Sequence, residues 1–261
     1  MRKSILALSA FALAALTTPA MAQDDDGLGI TITGGGTVTS DYRFRGVSQS
    51  GEDFAIQGSF TVTHSSGFYA GVWGSSIAFA QGTELDIIGG FSHEIVPGLT
   101  GDVGFTYYVY PNKLGGLVAN EIIEPYASVS GTVGPVWGKL GIAYAPKQDA
   151  YVLGTKRYDN TYVWADGSIG IPGTPVKATG HVGYTGNGSL RGVYADAGNL
   201  GSRADIIDFS VGGAVSYKAL TFGVNYVNTD LPKRFRNGAG TSLREGIGAD
   251  GAVVFSLSAA F

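Results

Sequence analysis

From Ile30 to Phe261 the chain alternates apolar and polar side chains with a period of two, in segments of about ten residues; this restricts the fold more than any other feature. Successive strand residues point to opposite faces, so such segments are strands with two unlike surroundings. Twelve are expected. They run approximately from Ile30 to Arg45, Phe54 to His64, Phe68 to Phe79, Glu84 to Ile95, Leu99 to Tyr110 and Glu121 to Val133. The other six run from Val136 to Ala145, Asp159 to Ile171, Val176 to Tyr184, Asp205 to Tyr217, Leu220 to Asn228 and Gly251 to Phe261. In the last of these, Val253, Phe255, Leu257, Ala259 and Phe261 share one parity, against Val254, Ser256, Ser258 and Ala260. The 42 Gly, 14 Tyr and 13 Phe, set against 2 Met, suit strands and turns and exclude an all-helical fold.

Connection lengths narrow the class further. Alternate connections are tight turns: Ser65-Ser66-Gly67, Pro97-Gly98, Gly134-Pro135, Pro172-Gly173-Thr174-Pro175 and Lys218-Ala219. Those between are mostly long and polar: Gly46 to Asp53, Pro111 to Asn120, Pro146 to Tyr158, Thr185 to Ala204 and Thr229 to Asp250, with Ala80 to Thr83 short. A soluble sandwich gives no reason for this alternation. A bacterial outer-membrane barrel does, with short turns at the periplasmic rim and long loops outside, and an even strand count then leaves both termini in the periplasm.

Charge assigns the faces. A Lys or Arg on the lipid face near the midplane costs about 2–4 kcal/mol, so strand charges should point inward. The apolar parity puts Asp41, Arg43, Arg45, Glu84, Asp86, Glu94, Asp102, Glu124, Lys139, Asp166, Lys177 and Asp208 on the inner side, with no strand charge clearly forced outward. A soluble barrel would show the same period with the faces reversed. Size separates the two: about eight strands already enclose an interior that side chains just fill, and twelve enclose more, which implies a polar lumen. The expected fold is therefore an all-β, antiparallel, up-and-down transmembrane barrel over residues 30–261. A net charge of -4, without a clustered basic face, excludes nucleic acid as a partner.

The N-terminus supplies the route. Arg2 and Lys3 precede an apolar run from Ile5 to Leu16 and the small-residue site Ala20-Met21-Ala22, the pattern of a secretory signal peptide, residues 1–22, cleaved after Ala22. Residues 23–29, with Asp24, Asp25 and Asp26, read as a short acidic periplasmic tail. Absence of cysteine suits passage through an oxidising compartment without requiring it.

Several stretches carry a family likeness: Ser40-Asp41-Tyr42-Arg43-Phe44-Arg45-Gly46-Val47-Ser48-Gln49-Ser50, Ala55-Ile56-Gln57-Gly58, and Gly67-Phe68-Tyr69-Ala70-Gly71-Val72-Trp73-Gly74-Ser75. Glu84-Leu85-Asp86 with Gly89-Gly90-Phe91, and Glu124-Pro125-Tyr126-Ala127-Ser128-Val129-Ser130-Gly131, extend it over nearly the whole mature chain. These resemble the TorF family of porins. The resemblance implies an outer-membrane barrel that passes solutes, and the solute stays open. The terminal Phe261, after alternating apolar residues, is similar to the signal read by the barrel-assembly machinery.

Asp41, Arg43 and Arg45 are expected on a single strand, aimed into the lumen near the outer rim. There they either form a constriction whose field sorts ions, or bridge carboxylates on neighbouring strands such as Glu84 or Asp86. Carboxylates outnumber bases about two to one on the inner face, which favours cations. Catalysis has little support: His64 and His93 fall on the apolar parity near strand ends, and His181 faces inward beside Lys177 with no nucleophile at a telling spacing. There is no Cys and no close His pair for a metal, and Gly34-Gly35-Gly36 lacks the Lys of a phosphate loop. No cofactor is expected. Tyr42, Phe68, Tyr69, Tyr107, Tyr110, Tyr144, Tyr184, Tyr217 and Tyr226 lie towards strand ends and are expected to form interfacial girdles. Lys233, Arg234, Arg236 and Arg244 are candidates to meet lipopolysaccharide phosphates, or form a solvated basic loop. A passive pore for small hydrophilic solutes or ions is the leading reading; an occluded structural or surface-interaction barrel and an outer-membrane hydrolase using His181 are the alternatives.

Overall fold

The computed structural model describes residues 28–78, 82–111, 121–148, 152–153, 156–157, 159–186, 205–231, 245 and 248–261. The signal peptide, the aspartates of the tail and the four basic residues of the last long loop lie outside them. Sixteen strands are β1 (Ile30–Thr39), β2 (Arg43–Phe44), β3 (Val47–Ser48), β4 (Ala55–His64), β5 (Phe68–Ser76), β6 (Thr83–Val96), β7 (Leu99–Val109) and β8 (Glu121–Val133), followed by β9 (Val136–Ala145), β10 (Val152–Leu153), β11 (Lys156–Arg157), β12 (Asn160–Gly170), β13 (Val176–Gly186), β14 (Ile206–Tyr217), β15 (Leu220–Thr229) and β16 (Ala252–Ala260).

Twelve of these close a barrel in the order β1-β4-β5-β6-β7-β8-β9-β12-β13-β14-β15-β16, every neighbour antiparallel and the last paired back to the first. β2–β3 and β10–β11 are separate two-stranded hairpins. Full closure leaves each wall strand a partner on both sides, the condition for a backbone that crosses a bilayer. The seam is made by the chain ends: Gly35 to Thr39 pair with Ala260 to Ser256, and Gly34 and Phe261 exchange both backbone hydrogen bonds at 3.0 Å. The tight turns behave as expected, and several carry a residue in the left-handed region, as at Gly67 (φ 101), Gly98 (φ 85) and Gly134 (φ 59).

Burial runs opposite to that of a soluble protein. On β6 and β7 the inward Glu84, Asp86, Asp102 and Thr106 are buried, while Leu85, Ile87, Val103 and Phe105 alternate with them and are exposed. Phe222, Phe255 and Leu257 repeat this on the last strands. Such an apolar coat is stable only against lipid.

The inside is furnished with aromatic rings set over glycines of the next strand. Tyr69 lies in register with Gly90, Tyr126 with Gly104 and Trp164 with Gly141. A β-carbon at Gly141 would stand 2.2 Å from Trp164 Cζ2, and one at Gly90 2.4 Å from the Tyr69 hydroxyl. The glycines thus give the rings room to lie flat on the wall. Tyr126, Ala143, Tyr162 and Trp164 form a buried cluster inside the barrel.

Candidate functional site

The first expected strand is shorter than its alternation suggests. β1 stops at Thr39, whose hydroxyl donates to the Asp41 carbonyl at 2.9 Å, and Ser40 closes the edge by exchanging hydrogen bonds with Phe255, backbone and side chain, at 2.9 Å each. Asp41, Arg43 and Arg45 therefore do not project from one wall strand. They belong to the β2–β3 hairpin, whose two-residue turn is Arg45 (φ 49) and Gly46 (φ 79). Two successive positive φ angles make the tight hairpin turn that matches strand twist. Gly46 adopts it freely; Arg45 does so at a cost of about 1–2 kcal/mol, which its side-chain contacts must offset. Extended dipeptides on both sides of the turn mimic continued alternation, which is why the sequence pattern runs on through Arg45.

The hairpin folds into the bore. In the barrel order β8 lies five strands from β1 in one direction and β12 five in the other, so both stand on the far wall. Arg45 reaches them: Nη2 donates to Glu124 Oε1 and Oε2 at 2.8 and 2.7 Å, and Nη1 to Asn160 Oδ1 at 2.9 Å. The guanidinium lies 4.7 Å from the centre of the Phe44 ring and 4.1 Å from that of Tyr162. Of the Arg45 and Glu124 side chains, 13% and 5% are exposed. Charge pairing, planar donors and two aromatic faces together suit Arg rather than Lys here.

The other hairpin residues hold its base. Arg43 Nε lies 2.5 Å from Asp41 Oδ2, and Arg43 Nη1 donates to the carbonyls of Gly248 and, at 3.0 Å, Asp250, just before β16. Ser48 donates to Asp41 Oδ1 at 2.7 Å. Tyr42 is fully buried, donates to Glu84 Oε1 at 3.0 Å, and packs its ring 5.4 Å from that of Trp73, with Ala55 and Ile77 beside it. Neither arginine meets Glu84 or Asp86, the partners expected for them; Glu124 and Asp41 take those places.

Deeper in the bore a polar belt continues around the wall. Tyr69 donates to Asp102 Oδ1 at 2.7 Å and its hydroxyl meets that of Tyr126. Tyr108 donates to Glu124 Oε2 at 3.0 Å. His181 Nδ1 lies 2.7 Å from Asp166 Oδ1 and Nε2 lies 3.0 Å from Asp208 Oδ1, with the Tyr162 hydroxyl 2.9 Å from the same Nε2 and 3.2 Å from Asp208. The imidazole thus bridges two carboxyl groups through its two ring nitrogens. Tyr162 joins the two clusters, its face under Arg45 and its hydroxyl at His181.

Glu84, Asp86, Asp102, Glu124, Lys139 and Asp208 are buried on the inner face, and Asp166, Lys177 and His181 share its parity. Glu94 has inner parity but serves the rim, its Oε1 accepting from Gly98 N at 2.9 Å in its own turn. Phe261 follows the last strand with its side chain exposed. His64 and His93 are exposed, the former bonded to Ser66 Oγ at 2.7 Å. Phe68, Tyr144, Tyr184, Tyr217 and Tyr226 are exposed on the outer face, whereas Tyr42 and Tyr69 are buried within the bore and Tyr110 packs against the Tyr42 cluster, so the girdle expectation fails for those three. Tyr108, Tyr126, Tyr162 and Trp164 were missing from the expected lining although they share parity with Asp102, Glu124 and Asp166, the same rule that placed the charges. Among the described residues no group of three or more His, Cys, Asp or Glu converges to hold a metal.

The fold has solved counterparts. The NanC porin in a rhombohedral crystal form aligns over 88% of this chain and 98% of its own, with a TM-score of 0.55 at 10% identity. The KdgM porin aligns over 88% and 97%, with a TM-score of 0.50 at 8% identity. At such identities the likeness shows a shared outer-membrane barrel architecture. No curated protein matches the chain. Residues 23–261 match the family model described as a bacterial protein of unknown function, and the chain belongs to that family, Gcw_chp.

Proposed function

We propose that this barrel is an outer-membrane porin, of the kind grouped as the TorF family, that passes small hydrophilic solutes or ions passively through a narrow, acidic lumen. Export by the signal peptide, insertion by the barrel-assembly machinery through the Phe261 end, and contact with lipid and lipopolysaccharide belong to this reading. Its main support is the charged interior crossed by the Arg45 hairpin, because a wall lined with charge needs water or counter-ions inside it. Arg43 and Arg45 are matched by Asp41 and Glu124, and His181 faces both Asp166 and Asp208, while among the described residues Glu84 and Asp86, on one strand, carry no ion pair. Cations are the favoured ions.

The reading is non-enzymatic and needs no cofactor. Both nitrogens of His181 face carboxylates, and the hydroxyl at Nε2 is the Tyr162 phenol, itself bonded to Asp208, so among the described residues no serine or threonine is hydrogen-bonded to the ring. Purified protein in a planar bilayer under a salt gradient should give channel events with a cation-selective reversal potential; a clear anion preference refutes the ion assignment.

A second reading, a closed barrel with a structural or surface role, draws on the buried Tyr126, Ala143, Tyr162 and Trp164 inside the bore. Absence of channel events across many insertions would favour it.

A further inference from the structure

Glu84 and Asp86 lie two residues apart on β6, facing the same side, and are 2% and 0% exposed. Opposite charges do not reach them: among the described residues neither carries an ion pair. Among the described residues the Arg45 guanidinium is set on Glu124 and that of Arg43 on Asp41. Glu84 receives the Tyr42 hydroxyl. Among the described residues Asp86 receives nothing, both its carboxylate oxygens being buried without a hydrogen-bond partner. Its register partners cannot help. Tyr108 on β7 turns its hydroxyl to Glu124, and Trp73 on β5 packs against Tyr42.

Asp86 nevertheless lies within electrostatic reach of Tyr42, Glu84 and Glu124. A buried carboxylate is tolerated when a positive charge and hydrogen bonds replace the water it lost. The polar groups within that reach are carboxylate and phenol oxygens, the donor type preferred by hard cations. A divalent cage needs several converging carboxylates, and none is present among the described residues. One carboxylate with a second beside it and tyrosine oxygens near suits a single monovalent ion, held loosely enough to leave.

We infer that Asp86, with Glu84 at its side, binds one alkali cation behind the Arg45 hairpin. The inference deepens the cation-selective reading of the lumen and rests on it, and it makes Asp86 the residue where a permeating cation pauses. Its test does not require conduction. Thermal unfolding of the detergent-solubilised wild-type barrel is followed in sodium, potassium or choline chloride at constant ionic strength. A hundredfold rise in sodium or potassium should raise the midpoint by roughly 5 °C, with choline ineffective. Asp86→Asn should be insensitive to the salt.

A wild-type midpoint that is the same in choline and in alkali chlorides overturns the site, whether or not the variant folds. A carboxylic-acid C=O infrared band present in the wild type and lost in Asp86→Asn would then show that a proton occupies the position instead. Alkali-dependent melting together with a silent bilayer would keep the site while removing the porin reading.

Discussion

Removing the Arg45 side chain should free the hairpin from the far wall. In Arg45→Ala the Glu124 carboxylate, 5% exposed, keeps only the Tyr108 hydroxyl as donor. Breaking a buried ion pair by deleting one partner costs about 3–5 kcal/mol, and each lost guanidinium–aromatic contact adds about 0.5–2 kcal/mol. Alanine retains a β-carbon, so the left-handed backbone at position 45 (φ 49) is not relieved and offsets nothing. Even the low end of these ranges, a net loss of about 4 kcal/mol, changes the ratio of docked to undocked hairpin roughly a thousandfold. The main-chain ladder of the wall is untouched, so the barrel itself should melt near the wild-type temperature. Single-channel recording reads the difference: the variant should show a larger conductance than wild type, or channel events where wild type shows none. Arg45→Ala combined with Glu124→Ala should be less damaging than the sum of the two, because the stranded carboxylate is gone. Conductance and selectivity identical to wild type would mean that the hairpin does not control the bore.

Other changes probe the wall. Val103→Arg places a charge on the lipid-facing side of mid-β7, where Val103 is 55% exposed, and should lower unfolding stability in vesicles by about 2–4 kcal/mol; no change would argue against a bilayer there. His181→Leu leaves Asp166 and Asp208 without their shared donor and should cost about 3–5 kcal/mol in denaturant unfolding, with His181→Gln less harmful; equal midpoints for all three proteins would show that the pairing contributes nothing. Gly141→Leu drives a side chain into the Trp164 ring and should cost about 1–3 kcal/mol, with a red-shifted tryptophan emission reporting the displaced indole; unshifted emission would contradict the ring-on-glycine packing.

Alternation, turn chemistry and charge parity were enough to read the barrel, its twelve wall strands and the facing of nearly every charge, because these are local consequences of a strand with lipid on one side. Glu121 to Val133 and Val136 to Ala145 coincide with β8 and β9, and the remaining wall segments agree to within a few residues except the first. That exception is where local pattern stops being informative: Asp41-Tyr42-Arg43-Phe44 alternates like a strand, and only the left-handed turn at Arg45-Gly46 sends it inward.

Partnership was decided elsewhere. Arg45 with Glu124, His181 with Asp166 and Asp208, and Tyr69 with Asp102 join residues separated by 79, 15, 27 and 33 positions. Strand parity states which side of the wall a group faces, not its height or what stands across the bore. Those depend on the stagger with which all twelve strands close, a property of the whole ring that no segment encodes alone. The sequence by itself therefore determined a charged interior and an apolar coat; the closed ring decided which charges neutralise one another, and left Asp86 without a partner among the described residues.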